Sequence, residues 1–172
     1  VSTLPEIIKT KETTTTTTTT TTKVLKIFDE NSKSRNIAVM INNIKNVWGY
    51  QSGVQDAYIV YEIIAEGGIT RLMAVFKDQD NERIGTVRSA RIYYLDYALE
   101  NDAIYVHIGG SKEALKDIKT LSIPDLQSEV TFRDRSIGLA YEHTAFASMS
   151  KIQEKIKKRG IRNTKKKDEL LQ

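Results

Sequence analysis

Ten consecutive threonines, Thr13 to Thr22, decide where this chain can fold. Such a tract has almost no apolar surface to bury, so nothing offsets the entropy cost of ordering it. A packed domain must lie downstream. Residues 1–35 therefore read as a disordered, Thr-rich stalk of the kind that holds a domain away from a surface. Lys23 to Phe28 (KVLKIF) reads as a short strand or helix joining the stalk to the domain.

The rest of the 172 residues suits one domain, and a 40% apolar share is enough for a core. No run approaches the roughly 18 apolar residues that a membrane-spanning helix needs. The absence of cysteine excludes disulfides, thiolate zinc sites, iron–sulfur clusters and a cysteine nucleophile. His107 and His143 are the only histidines, which argues against a histidine-rich metal centre. Neither a metal nor a cofactor is expected. The net charge of +4 is unevenly spread. From Lys151 onward nine basic residues face three acidic ones, so that stretch carries +6 and the remainder −2. Basicity is thus a property of the last segment, read first as a solvated helix end or linker, with nucleic acid or an anionic surface as the sharper alternative. The chain starts at Val1 and stops in KKKDELLQ, so both ends read as cut.

Folding signals begin near Asn36. Ile37 to Ile41 (IAVMI) reads as a buried strand ending in an Asn42–Asn43 turn. Trp48 to Gly53 reads as loop, with a helical turn over Val54 to Asp56. Ala57 to Ile64 and Ile69 to Phe76 are β-branched and aromatic runs flanking Glu66-Gly67-Gly68, a hairpin signature. Lys77 to Glu82 is a polar turn. Ser89 is placed to cap a helix from Ala90 to about Glu100, with Ile92, Leu95 and Leu99 facing inward. Ala103 to Ile108 reads as a strand entering Gly109-Gly110-Ser111, then a helix over Lys112 to Thr120 with Leu115 and Ile118 inward. A final helix near Ser148 to Arg159 carries Met149, Ile152 and Ile156 on one stripe. Strands and helices alternate late but not early. The expected fold is α+β with α/β-like character: a mixed sheet with packed helices in a single domain.

Three groups of residues could carry chemistry. A strand–Gly109-Gly110-Ser111–helix junction can present free N–H groups to an anion, although a tight turn with an N-cap explains it equally simply. Arg71 lies inside an apolar strand, where a guanidinium needs a carboxylate or a ligand. With Glu66, Arg88 and Arg91 it suggests either an anion site or a structural ion-pair network, and the two remain open. His107 shares a strand face with Tyr105 near the strand's C-terminal end, where open α/β sheets place ligands. His143 follows Arg133-Asp134-Arg135 in a loop region. Neither a G-x-S-x-G elbow nor an H-E-x-x-H pair is present.

AVMINN, YQSGVQDAYIVYEIIAEGGITRLMAVF and IGTVRSARIYYLDYALENDAIYVHIGGSKEAL together resemble the YerB-like family of bacterial lipoproteins, in its N-terminal domain of unknown function. The motifs QSG, EGGITR, VRSAR and VH-x-GGS carry the resemblance, which runs from about Asn36 to Lys158. It implies an upstream signal peptide and lipid-modified cysteine, a place on the outer face of the cell membrane, and a second domain following residues 161–172. Domain 36–160 would then be tethered by the stalk. Glu66, Arg71, Arg88, Arg91, His107 and Ser111 match the family pattern. Asn42 stands where an aspartate is usual, Tyr50 and Ile92 where prolines are usual, and Glu142-His143-Thr144 replaces Pro-His-Asn.

The resulting expectation is an extracytoplasmic, membrane-anchored domain that binds a protein partner or an anionic envelope-derived ligand. Its candidate ligand-binding residues are Glu66, Arg71, Arg88, Arg91, His107, Gly109, Gly110, Ser111 and His143. One alternative is an enzyme acting on cell-wall polymer with His107 or Glu66 as general acid–base. Another is a helicase or nucleic-acid partner using the basic C-terminal helix, which an extracytoplasmic address contradicts.

Overall fold

A continuous apolar run becomes a strand when it can be covered on both faces. Ile37–Asn42 is such a strand, β1, every residue of it buried. The structure is a computed structural model and describes residue 29 and residues 31–166. The threonine tract, the Lys23–Phe28 segment and residues 167–172 lie outside the described residues.

β1 is the middle of a five-stranded sheet ordered β2-β3-β1-β5-β6. Here β2 is Ile59–Ile64, β3 Thr70–Phe76, β5 Ile104–Val106 and β6 Asp125–Leu126, with β4 (Ile84–Gly85) lying outside it. β1 pairs antiparallel with β3 and parallel with β5, and β5 is parallel to β6, so the sheet is mixed as expected. β2 and β3 form the hairpin, closed where Ile64 faces Thr70. Strand β1 runs one residue further than expected, because Asn42 keeps register with Arg71.

Alternate residues of β1 feed two cores. Ile37, Val39 and Ile41 pack with Leu72, Ala74 and Phe76 against a small antiparallel sheet and a helix. That sheet is β4-β8-β7, with β7 Thr131–Arg133 and β8 Ala145–Ala147. The helix, Met149–Arg159, buries Met149, Ile152 and Ile156 and is capped by Ser148 accepting from the Lys151 N–H. On the other face Ala38, Met40, Met73 and Val75 pack against Tyr94, Leu95, Ala98, Ala114 and Ile118. These come from helix α1 (Leu95–Glu100) and its preceding turn, and from α2 (Lys112–Thr120). The C-terminal helix is accordingly α3.

One expected helix is shorter than the sequence suggested. Ala90 to Glu100 is not a single helix: Arg91 is extended, Ile92–Tyr94 is a 3-10 turn, and α1 starts only at Leu95. Ser89 caps nothing, because the backbone around it is already engaged elsewhere. Its carbonyl accepts from Arg71 Nη1, the Ala90 N–H donates to Gly109 O, and the Ala90 carbonyl accepts from Ser111 N–H. The buried face is Tyr94, Leu95 and Ala98, while Ile92 and Leu99 are exposed. The small second sheet gave no sequence signal, since its strands are two or three residues long.

Candidate functional site

The displaced segment Thr86–Arg91 builds the site. Thr86 O accepts from Asn42 N–H, Arg88 N–H donates to Met40 O, and Ile41 bridges Val87. On its other side Arg88 O accepts from Ile108 N–H, and Ala90 bridges Gly110. The segment thus fills the gap between β1 and the chain leaving β5, at the C-terminal ends of two parallel strands. That is the edge where α/β sheets place ligands. Arg88 and Arg91 are therefore not cations at a helix N-terminus, as the sequence suggested. They sit in an extended segment aimed at the sheet edge.

Asn42, Ile44, Ala65, Glu66, Ile69, Thr70, Arg71, Arg88 and Arg91 line a cavity of about 190 Å³ there. A concavity of this size admits one small charged group. Arg71 enters from β3 with its side chain 10% exposed, its Nη2 3.7 Å from Glu66 Oε2. Burial lowers its pKa first and the Arg91 charge adds to that, while Glu66 opposes both. Arg91 donates from Nε to Glu66 Oε1 and from Nη1 to its neighbour's carbonyl, Ala90 O. This contact with Arg91 holds the Glu66 carboxyl below its ordinary range. Among the described residues Arg88 makes no ion pair and no side-chain hydrogen bond. The pocket therefore holds three guanidiniums and one carboxylate, a net charge of +2, and Arg88 is the guanidinium that no carboxylate touches.

A polar ring braces one wall. Thr70 Oγ1 donates to Glu62 Oε1 at 2.6 Å and accepts from Asn43 Nδ2 at 2.8 Å. Tyr94 OH donates to Arg71 O, fixing the strand that carries the arginine. Tyr93 has a buried hydroxyl without a hydrogen-bond partner. Burial and then Glu66 raise its pKa, Arg71 and Arg91 opposing, and it is not among the residues that line the cavity.

The remaining candidates stand behind the pocket and do not line it. His143, 8% exposed, accepts at Nδ1 from Asn42 Nδ2 at 3.0 Å, and Nε2 is 3.8 Å from Glu142 Oε1. Burial lowers its pKa, Arg88 adds to that, and Glu142 opposes both. His107 is fully buried, donating at Nδ1 to Gly109 O at 2.7 Å, with Nε2 3.3 Å from Asp125 Oδ2. It is not among the residues that line the cavity holding Glu66. Ser111 Oγ accepts from Ala114 N–H at 3.1 Å, so the Gly-Gly-Ser junction is a turn with an N-cap. Its role is to hold Ala90, and through it the two arginines. Asn42 and Thr70 line the cavity and were missing from the sequence-based set. A buried asparagine closing an apolar strand was the one available signal.

The basic C-terminal helix behaves as a solvated face. Lys151, Lys155 and Lys158 share a shallow cleft with Glu129 and Glu154, and Arg159 Nη2 pairs with Glu129 Oε1 at 2.5 Å. Among the described residues no helix is long and apolar enough to cross a membrane, and no three His, Asp or Glu are grouped to hold a metal ion.

Comparison with known proteins places this architecture. The model of the "Protein of unknown function (DUF3048) N-terminal domain" matches residues 21–162. A Bacillus subtilis protein named "Putative lipoprotein YerB" is 41% identical over 96 residues, which are 56% of this chain and 29% of that protein. A crystal structure of the YerB protein from Bacillus subtilis aligns with a TM-score of 0.71 at 29% identity. That alignment covers 84% of this chain and 49% of the other, so this chain spans at most about half of these relatives.

Proposed function

The chain belongs to the DUF3048 N-terminal domain family, and on that premise we propose that its arginine pocket binds an anionic group of an envelope-derived ligand. The observation that carries this reading is Arg88. It is half-buried at the carboxyl ends of β1 and β5, beside Arg71 and Arg91, with no acidic partner among the described residues. A structural ion-pair network would neutralise its members, and Glu66 can neutralise only part of three guanidiniums.

The proposal includes an address. Similarity to a protein named as a lipoprotein supports a lipid anchor upstream and an extracytoplasmic position. The geometry is compatible: residues 33–35 and 163–165 run side by side, through Arg35 N–H to Asn163 O and Lys165 N–H to Lys33 O. They meet at the N-terminal end of β1, whereas the pocket lies at its C-terminal end, about 20 Å away for six residues at roughly 3.3 Å each. A stalk over residues 1–35 and a linker from 161 to a further domain would then leave from one pole, with the pocket facing away.

Calorimetric titration with anionic wall fragments and headgroup phosphates tests the site. Binding that Arg88→Ala abolishes, with unfolding temperature unchanged, is the expected result. Binding that survives Arg88→Ala and Arg71→Ala in a folded protein would remove the pocket from consideration.

A further inference from the structure

The pocket already contains an anion of its own. Glu66 engages Arg91 Nε and lies 3.7 Å from Arg71 Nη2, bridging two guanidiniums as a ligand carboxylate would. It is the loose member of the group, with its side chain 61% exposed against 10% for Arg71 and 19% for Arg91. It stands on a hairpin tip with two left-handed glycines, Gly67 (φ 70°) and Gly68 (φ 72°). Nothing lies within 4 Å of where a Cβ would stand on either glycine, so no packed neighbour holds that side of the tip.

Charge then limits what can enter. A monoanion has two choices. It can sit on Arg88 beside the Glu66 carboxylate, or displace Glu66, and either way it leaves at least one of the pocket's positive charges unmatched. A group with two charges on one centre can satisfy Arg88 as well as Arg71 and Arg91. A phosphate monoester fits: it carries close to two charges at neutral pH and three acceptor oxygens, which guanidinium forks match in pairs. The cavity of about 190 Å³ suits a single phosphate.

We propose that the pocket is a phosphate-monoester site, in which Glu66 leaves the three guanidiniums a residual charge of +2 that a dianion matches. This rests on the anion-binding reading above. The test is titration of the ¹⁵N-labelled protein with methyl phosphate, a dianion, and dimethyl phosphate, a monoanion, for the wild type and Glu66→Gln. The wild type should prefer methyl phosphate by about tenfold or more, a difference of one such charge pairing. Glu66→Gln should tighten both esters, and methyl phosphate the more, because a like charge repels a dianion about twice as strongly as a monoanion. Equal affinity of the wild type for both esters overturns the monoester assignment, and affinities that Glu66→Gln leaves unchanged overturn the role of Glu66, while either leaves the anion site standing. Absence of binding by both proteins overturns the anion site with it. Displacement of bound methyl phosphate by glucose 1-phosphate or by phosphatidic-acid vesicles separates a soluble sugar phosphate from a lipid headgroup as the source.

Discussion

Arg88 shows how a single residue's surroundings decide its role. Its backbone is tied on both sides, to Met40 and to Ile108, while its side chain is left without a carboxylate. That charge is felt by His143, which burial already disfavours as a cation. Arg88→Ala should therefore raise the His143 pKa while burial keeps it below 6.5, as read from the ring proton shifts in an NMR titration. An unmoved or falling pKa would mean that the guanidinium points away from Asn42 and His143. The sign for stability follows. A histidine whose folded pKa lies below its unfolded value binds protons more readily unfolded, so stability is full above pH 6.5 and declines as pH falls below it. Glu66, Asp102 and Asp125, all with lowered pKa values, extend the decline into the carboxylate range. Thermal melts between pH 7.5 and 5 should show Tm falling with acid, with a smaller early fall in His143→Gln.

At the scale of elements, the turn at Gly109–Ser111 caps α2 and is hydrogen-bonded on both sides of Ala90. A methyl on Gly110 would lie 3.1 Å from Ala90 Cβ and 3.1 Å from Leu115 Cδ2. Gly110→Ala must push the Arg88–Arg91 segment and α2 apart, so it should weaken anion binding and lower Tm together. Ser111→Ala loses only a helix cap, costing about 1 kcal/mol of stability, and should leave affinity nearly unchanged. If Gly110→Ala bound anions as the wild type does, the segment would not depend on this turn. The same elements show what the sequence could reveal. β1, the hairpin, α2 and α3 were legible because each has a clear period or a continuous apolar run bounded by turn residues. Ala90–Glu100 was misread because local capping logic at Ser89 lost to three long-range hydrogen bonds, which no local pattern reports. Arg71, Arg88, Arg91 and Glu66 were legible as charges out of place. That they share one cavity follows from the crossover of Thr86–Arg91 beside β1, and spacing along the chain does not encode it.

The whole molecule is organised along β1, with a clamp at one end and the pocket at the other. At the clamp Asp102 accepts from Arg162 Nη2 at 2.5 and 2.8 Å and lies 3.0 Å from Arg35 Nη2, joining the chain that enters the domain to the chain that leaves it. Arg35 Nε also donates to Asp102 O at 2.6 Å. Asp102→Asn keeps a side chain that tolerates the left-handed φ of 45° at this position. It should speed amide hydrogen exchange at Arg35 and Lys165 while leaving Asn42 and Arg88 protected. Equal acceleration at both ends would show that clamp and pocket unfold as one unit. Independence of the two ends is what a tethered binding domain requires, because load or motion at the tether then leaves the pocket intact.

The most direct test of the account is a map of amide shifts in ¹⁵N-labelled protein as methyl phosphate is added. The account predicts saturable shifts centred on Asn42, Gly68, Arg71, Arg88 and Arg91, absent in Arg88→Ala. Shifts centred instead on the lysines of α3, or a diffuse response that Arg88→Ala leaves intact, would contradict it.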